Sequence, residues 1–499
     1  MAAIIILGIL AILAIVIVQI GKLSELRSKI MGEEAINFQN YDITGKLLVT
    51  FVIGFLVFCV GSAYYYKNWM LGFGPHEAAS IHGKSIDSMF NVTTLFCGIV
   101  FFITQFLLFW YAFKYRGQKG KKAIYFPGST KLELIWSIVP SIVLVILVAR
   151  GLIAWNDIMA DVNPEDNAIE IEATAFQFAW NIRYGGPDGQ IGTKNYKKIS
   201  PTNALGQEWT DVKNLDDFNA DEIVLPVNRK IRVRITSKDV LHNFYLPHFR
   251  VKMDAVPGLP TFFVFTPTKT TEDYKDELRK YKEYQAPSDP ADPKSEPMWK
   301  AFNFELACAE LCGKGHYSMR RLVKIVSEQE YAAWSANQKS TYLTTVRNTD
   351  EDPFKGQVLD VEVKQRRTDF FNEVGKITKA DSLIGKQSII LNHIHFESGN
   401  DKLTPDSKYE LDNLIELMVN NSKMSIEFAG HTDNVGEAKA NLELSNKRAA
   451  SVKEYLINRG IDASRLKTIG FGQTRPLDTN DTDAGRTTNR RTELKILSK

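Results

Sequence analysis

At 499 residues the chain is too long for one hydrophobic core to serve, and about 150 residues per domain predicts some three independently organised units. Sixty-one Lys and Arg against 58 Asp and Glu leave a net charge of +3, too balanced for a protein that grips polyanions, so nucleic acid is not an expected partner. Four cysteines cannot build a disulfide framework, and a mean hydropathy of -0.17 excludes a chain embedded in a membrane from end to end.

Four apolar stretches, at about 3–20, 47–66, 91–113 and 133–155, are each long enough to cross ~30 Å of hydrocarbon as a helix. Residues 1–45 are read as an extra N-terminal transmembrane helix and cytoplasmic loop, 46–90 as a second transmembrane helix and outer loop, and 91–160 as a transmembrane hairpin. The first stretch reads as a retained span rather than a cleaved signal, since no charged n-region precedes it and no small-residue cleavage site follows it before Lys22. Lys114, Arg116, Lys119, Lys121, Lys122 and Lys131 occupy the loop between the third and fourth stretches with no acid among them. That loop is therefore expected in the cytoplasm, and everything after about 156 outside. Lys22, Arg27, Lys29 and Lys46 in the 21–46 loop agree, which puts both termini on the outer face. Tyr64, Tyr65, Tyr66, Trp69, Trp110, Tyr111 and Trp155 read as interfacial anchors, and Cys59 and Cys97 as packing within the spans.

The runs 168–184, 222–236 and 261–267 alternate apolar and polar residues between Gly, Pro and Asn breaks, which predicts an antiparallel β-sandwich or barrel over 161–327. Two insertions, 185–221 and 268–300, decorate it; the second is charge-dense and then Pro-rich, predicting a short helix and a stiff exposed loop. Cys308, Cys312, His316 and Met319 fall within twelve residues, and His242 offers a second imidazole, a donor set that favours a soft metal. A Cys308–Cys312 disulfide, a structural Cys2His2 zinc site and coincidence are the competing readings. None accounts for Met319, a thioether that tunes copper and does nothing for zinc, so copper is the better fit. No Cys-x-x-Cys-His occurs, so no covalent haem is expected in this chain.

The segments DVLHNFYLP and KMDAVPG (within 239–258) and CAELCGKGHYSM (308–319) resemble subunit II of cytochrome c oxidase, over roughly 90–327. The resemblance implies a dinuclear copper centre, CuA, in a cupredoxin-like domain. Cys308 and Cys312 would bridge the coppers, His242 and His316 would each cap one, and Met319 and the Glu310 carbonyl would be weak ligands. The Glu310 side chain would also reach a Mg2+ shared with subunit I. It further implies an electron relay with no catalytic residue of its own, oxygen being reduced in subunit I, with cytochrome c or a cytochrome-c-bearing complex as donor. Leu132-Glu133 through Pro140 resembles the start of the family's second helix, whose glutamate stands at the mouth of a proton channel; favourable helix-dipole chemistry is the equal alternative for Glu133. At Phe176-Gln-Phe178-Ala-Trp180 the chain departs from the family. Phe178 stands where the family's electron-accepting Trp does and Trp180 in the second aromatic place, and Phe176, Phe178 and Trp180 are expected on one strand face.

Residues 328–385 read as a linker, with a helix over Glu328–Tyr342 and then a polar tract. The remainder, 386–499, alternates strands (389–396, 424–429, 466–471, 491–497) with helices (405–420, 443–459), predicting a two-layer α/β sandwich. Gly430-His431-Thr432-Asp433, Asn441 through Arg448-Ala449, Gly470-Phe-Gly472 and Gly485 through Arg491 resemble an OmpA-like peptidoglycan-binding domain. The resemblance implies that Asp433 takes the ammonium and Arg448 the carboxylate of a meso-diaminopimelate side chain, with Asn441 nearby; a plain Asp433–Arg448 ion pair is the alternative. Asn489, Arg490 and Arg491 read as structural pairs for the sheet.

The expectation is thus a multidomain membrane protein with four transmembrane helices, an all-β cupredoxin-like domain and an α/β two-layer OmpA-like domain. It would be the electron-transfer subunit of a terminal oxidase in a bacterial inner membrane, both outer domains lying in a Gram-negative periplasm. Other oxidase subunits, peptidoglycan and membrane lipid would be its partners. A wall-anchored stator would want a carboxylate within the spans, and a quinol oxidase subunit would lack the copper ligands.

Overall fold

The computed structural model describes residues 2–70 and 77–499; the side chains of 2–10 and 67–70, and with them the anchor expected at Trp69, lie outside the described residues. The chain forms two compact units, Met1–Ile169 with Ala173–Asn181 and Asp221–Glu328, and Glu170–Glu172 with Ile182–Ala220 and Gln329–Lys499.

The first unit opens with α1 (Ala2–Met31), α2 (Glu33–Met70), α3 (Ile81–Lys114) and α4 (Thr130–Ile158). Among the described residues three helical spans are long and apolar enough to cross a membrane: Glu33–Tyr66, Ile81–Lys114 and Thr130–Ile158. The loop expected over 21–46 is helical instead, broken only at Gly32, whose φ of +85° suits a residue with no Cβ. α2 and α3 pack through Phe51 on Phe109 and Phe55 on Phe101, and Asp42 pairs with Arg116 at 2.7 Å.

α3 starts at Ile81, well before the apolar run. Ser80 caps it, accepting from the Gly83 N–H at 3.2 Å while donating to the Phe249 carbonyl at 2.6 Å, and Asp87 pairs with Arg250 at 2.7 Å. The polar first turns thus plant the helix on the β domain.

That domain holds β1 (Ile169–Phe176), β2 (Ala179–Tyr184), β3 (Phe218–Ala220), β4 (Ile223–Pro226), β5 (Ile231–Ser237), β6 (His242–Leu246), β7 (Val251–Ala255), β8 (Thr261–Phe265), β9 (Phe304–Cys308) and β10 (Arg320–Val326). They form two five-stranded sheets, ordered β3-β2-β1-β5-β8 and β4-β10-β9-β6-β7. β5 and β9 bury every second residue, the period-two pattern of a sheet with one face on the core. The 268–300 insertion carries α5 (Thr271–Leu278), opened by a Thr270–Asp273 capping box, and a short α6 (Met298–Ala301).

In the second unit, the 185–221 insertion folds with the segment expected as a linker. α7 (Glu328–Ala336) and α8 (Thr341–Thr345) replace the single predicted helix, and Trp209, Leu215, Tyr342 and Val346 make a buried cluster completed by Phe354, Leu359 and Val361. α9 (Asp360–Lys379) then gives Phe370, Val374 and Ile377 to the core of the tail domain. The tether reading of 328–385 is corrected: much of it is packed structure.

The tail itself has β11 (Ser388–Ile390), α10 (Lys408–Asn420), β12 (Ser425–His431), α11 (Ala438–Ile457), β13 (Leu466–Gly472), α12 (Asp483–Asn489) and β14 (Thr492–Ser498). Its sheet is ordered β11-β14-β12-β13, with β12 parallel to β13 and antiparallel to β14.

Candidate metal centre

The sheet brings the donor residues together. β6 and β9 pair antiparallel with Phe244 opposite Cys308, so His242 at the start of one strand and Cys308 at the end of the other share one edge. The loop from Cys308 to Met319 returns to that edge, where the Cys308 N–H donates to the Met319 carbonyl at 3.2 Å. The result is a cluster of His242, Cys308 and Cys312, all buried.

Both cysteines are free, with their sulfurs 4.0 Å apart, so they are not joined as a disulfide. His242 Nδ1 lies 3.8 Å from the Cys308 sulfur and His316 Nδ1 3.7 Å from that of Cys312. The Met319 sulfur is 3.3 Å from Cys312 Sγ, and the Glu310 carbonyl 3.2 Å from Cys308 Sγ. An ion about 2.3 Å from each sulfur can touch both only when they stand within about 4.6 Å, a condition this pair meets. Burial, and then the neighbouring Cys308, push the Cys312 thiol up to about 11. Holding both sulfurs ionised side by side would therefore need a cation between them. Two soft sulfurs, two imidazoles, a thioether and a carbonyl fit a copper pair.

His242 is oriented from behind. Its Nε2 donates to Asp239 Oδ1 at 2.8 Å, which leaves Nδ1 as the lone-pair nitrogen facing the sulfurs. Burial opposes ionisation of Asp239, but the Gln177 N–H and His242 hold its carboxyl below the usual range. Asp239 and Gln177 were legible only as neighbours of the motif, and sequence reasoning gave them no role.

The aromatic run is not one strand face. β1 ends at Phe176 and β2 starts at Ala179, so Gln177 and Phe178 make the turn between them. Phe178 is 37% exposed, whereas Trp180 is fully buried with its ring 6.4 Å from that of His242. Glu133 sits in the first turn of α4, behind the Ser129 cap.

In the tail, Thr432, Asp433, Asn441, Arg448, Arg490 and Arg491 line a cleft of about 910 Å³. Asp433 follows β12 and pairs with Arg490 at 2.7 Å rather than with Arg448. Arg448 donates to the Asn400 carbonyl at 3.0 Å and lies over the Phe396 ring, while Asn441 donates to the Val435 carbonyl and to Gln473. The plain Asp433–Arg448 pair is therefore not formed, and Arg490, expected to serve the sheet, belongs to the cleft. Asn489 is structural, accepting from the Leu477 N–H at 2.7 Å, while Arg491 lines the cleft and also pairs with Glu493.

A relative from Bradyrhizobium diazoefficiens, an alternative cytochrome c oxidase subunit 2, is 32% identical over 257 residues, covering 51% of this chain and 80% of the relative. The chain belongs to the cytochrome c oxidase subunit II family. Family models for "Cytochrome C oxidase subunit II, transmembrane domain" and "Cytochrome C oxidase subunit II, periplasmic domain" match residues 66–152 and 169–274 of this subunit II chain. The crystal structure of the periplasmic domain of subunit II of cytochrome oxidase from Bradyrhizobium japonicum aligns at 29% identity and a TM-score of 0.21, over 34% of this chain and 90% of that one. The OmpA family model matches residues 395–490. Outer membrane porin F of Pseudomonas fluorescens is 36% identical over 103 residues, covering 21% of this chain and 32% of the porin.

Proposed function

We propose that this chain is the electron-relay subunit of its oxidase, holding a dinuclear CuA centre and tied to peptidoglycan by its tail. The reading is carried by the two buried, unbonded sulfurs 4.0 Å apart, each with an imidazole Nδ1 beside it. Cys308 and Cys312 would bridge the metals, His242 and His316 cap them, and Met319 and the Glu310 carbonyl serve as weak ligands. A copper pair held by these residues would supply one-electron redox chemistry. The protein's part is to keep the donors in place and dry. Asp239 fixes the His242 ring, and the buried strand ends of β6 and β9 keep their spacing through redox change.

The donor is a cytochrome c or a complex bearing one, docking near exposed Phe178; buried Trp180 is suited to conduct within the domain but not to dock. This chain would hand its electron to the haem of subunit I, the subunit where oxygen would be reduced. The Glu310 side chain would help hold a Mg2+ shared with subunit I, and Glu133 would stand at a proton-uptake mouth. α1 makes a fourth crossing of a Gram-negative inner membrane, with both outer domains in the periplasm. In the tail, Asp433 and Arg448, with Asn441, take a zwitterionic diaminopimelate.

The test is metal content. Full-length chain produced with copper and purified in detergent should hold two coppers and give a mixed-valence EPR signal. Zinc in their place, or no metal, removes the relay reading.

A further inference from the structure

The turn joining β1 to β2 contacts both segments that bear the proposed copper ligands. The Gln177 side-chain amide donates to the Cys312 carbonyl at 2.6 Å. Its backbone N–H donates to Asp239 Oδ2 at 2.7 Å, and the other oxygen of that carboxylate holds His242 Nε2 at 2.8 Å. Next to it the Phe178 ring lies against the loop itself: a Cβ on Gly315 would stand 2.4 Å from Phe178 Cγ, and one on Gly313 3.0 Å from Phe178 Cε1. The Gly-Lys-Gly run between Cys312 and His316 is thus shaped to let this ring approach.

We infer that Gln177 is a positioning residue, which locks the Cys312–His316 loop to the His242 segment and so sets the spacing between the two halves of the donor set. This rests on the copper reading above. Cys312 and His316 sit on a loop, not a strand, and a loop holds ligand geometry only as firmly as its outside contacts allow. On the other half, Asp239 orients His242, and Gln177 anchors Asp239. One residue therefore ties the orienting carboxylate of one imidazole to the backbone of the opposite thiol. Hydrogen bonds behind ligands tune the metal as well as the fold. Phe178 packs against the Gly313 and Gly315 backbone of the same loop.

The experiment uses the full-length, copper-loaded chain and two variants. Gln177→Met keeps the length and removes the donor; Gln177→Glu keeps the shape, and its carboxylate accepts rather than donates. Copper per chain, EPR hyperfine structure and midpoint potential are measured for each. Both variants are expected to keep two coppers. At a fixed potential their oxidised-to-reduced ratio should move at least threefold, about 28 mV for one electron at ~59 mV per decade, with altered hyperfine splitting. A purely structural glutamine would change melting of the copper-free chain and leave potential and splitting alone. Should Gln177→Met fail to fold, Gln177→Glu decides the matter. If the parent binds copper normally and the folded variants match it in both potential and spectrum, the inference is overturned. If the parent itself binds none, it is the copper reading that falls.

Discussion

Arg183 lies fully buried, its guanidinium bonded to Glu172 at 2.9 Å, to Asp217 at 3.0 Å, to Asn214 at 2.8 Å and to the Gly192 carbonyl at 3.0 Å. Lys194 adds a second cation to Glu172 at 2.7 Å. Glu172 is thus doubly served, while Asp217 shares Arg183 with it and also feels Asp216 and Asp188. Burial therefore prevails over Arg183 and pushes the Asp217 carboxyl up to about 7. A folded-state value above the ordinary 3.8 means the folded chain keeps this proton longer than the unfolded chain does. Stability should then fall as pH rises from about 4 to 7, by at most ~1.4 kcal/mol per pH unit, and level off above. Denaturant unfolding of the parent and of Asp217→Asn across that window checks it; the Asn variant should lose the slope. Arg183→Ala should cost about 3–5 kcal/mol in the same assay, because it leaves buried Asp217 without its cation and Glu172 with Lys194 alone.

Charge density concealed the packing role of α9. Its sequence is rich in Lys, Arg, Asp and Glu, yet Phe370, Val374 and Ile377 recur at helical spacing and are buried in the tail core. Arg366 reinforces that face, reaching Glu410 on α10 at 2.7 Å and the Ile390 carbonyl at 3.2 Å. A fragment of residues 360–499 should therefore melt well above one of 386–499, and Phe370→Ala should cost about 3–5 kcal/mol in the longer fragment. Equal melting of the two fragments would contradict the packing role. The clustered sulfur and imidazole donors were legible for the opposite reason. Cys308, Cys312, His316 and Met319 are local in sequence and chemically scarce, and the tail's Gly-rich motifs are similarly compact. Long-range contacts left no such trace: Glu172 and Arg183 read as ordinary strand residues, and the 176–180 run looked like a strand because its aromatics alternate. The turn at Gln177 and Phe178 shows only when β1 and β2 are paired.

Over the whole molecule, the two proposed sites occupy separate units, so each should be removable without the other. Cys308 and Cys312 lie in the first unit, Asp433 and Arg448 in the second. Cys308→Ser takes away one of two bridging sulfurs, and the full-length variant should lose its copper signal yet still sediment with isolated peptidoglycan sacculi. Asp433→Ala should behave inversely, keeping two coppers and losing at least tenfold in sacculus binding. The reason lies in the ligand's charges. A zwitterion held by one carboxylate and one guanidinium loses an opposite-charge partner on either substitution, and Arg448→Ala should weaken binding to a similar degree. Arg490 sharpens the expectation, since it already shares Asp433 at 2.7 Å and, once that acid is gone, would present an unneutralised cation to the ligand's ammonium. Added salt should weaken parental binding, because the cleft is open to solvent and its charges are screened. Undiminished sedimentation of both Asp433→Ala and Arg448→Ala would refute the ligand assignment while leaving the copper site untouched.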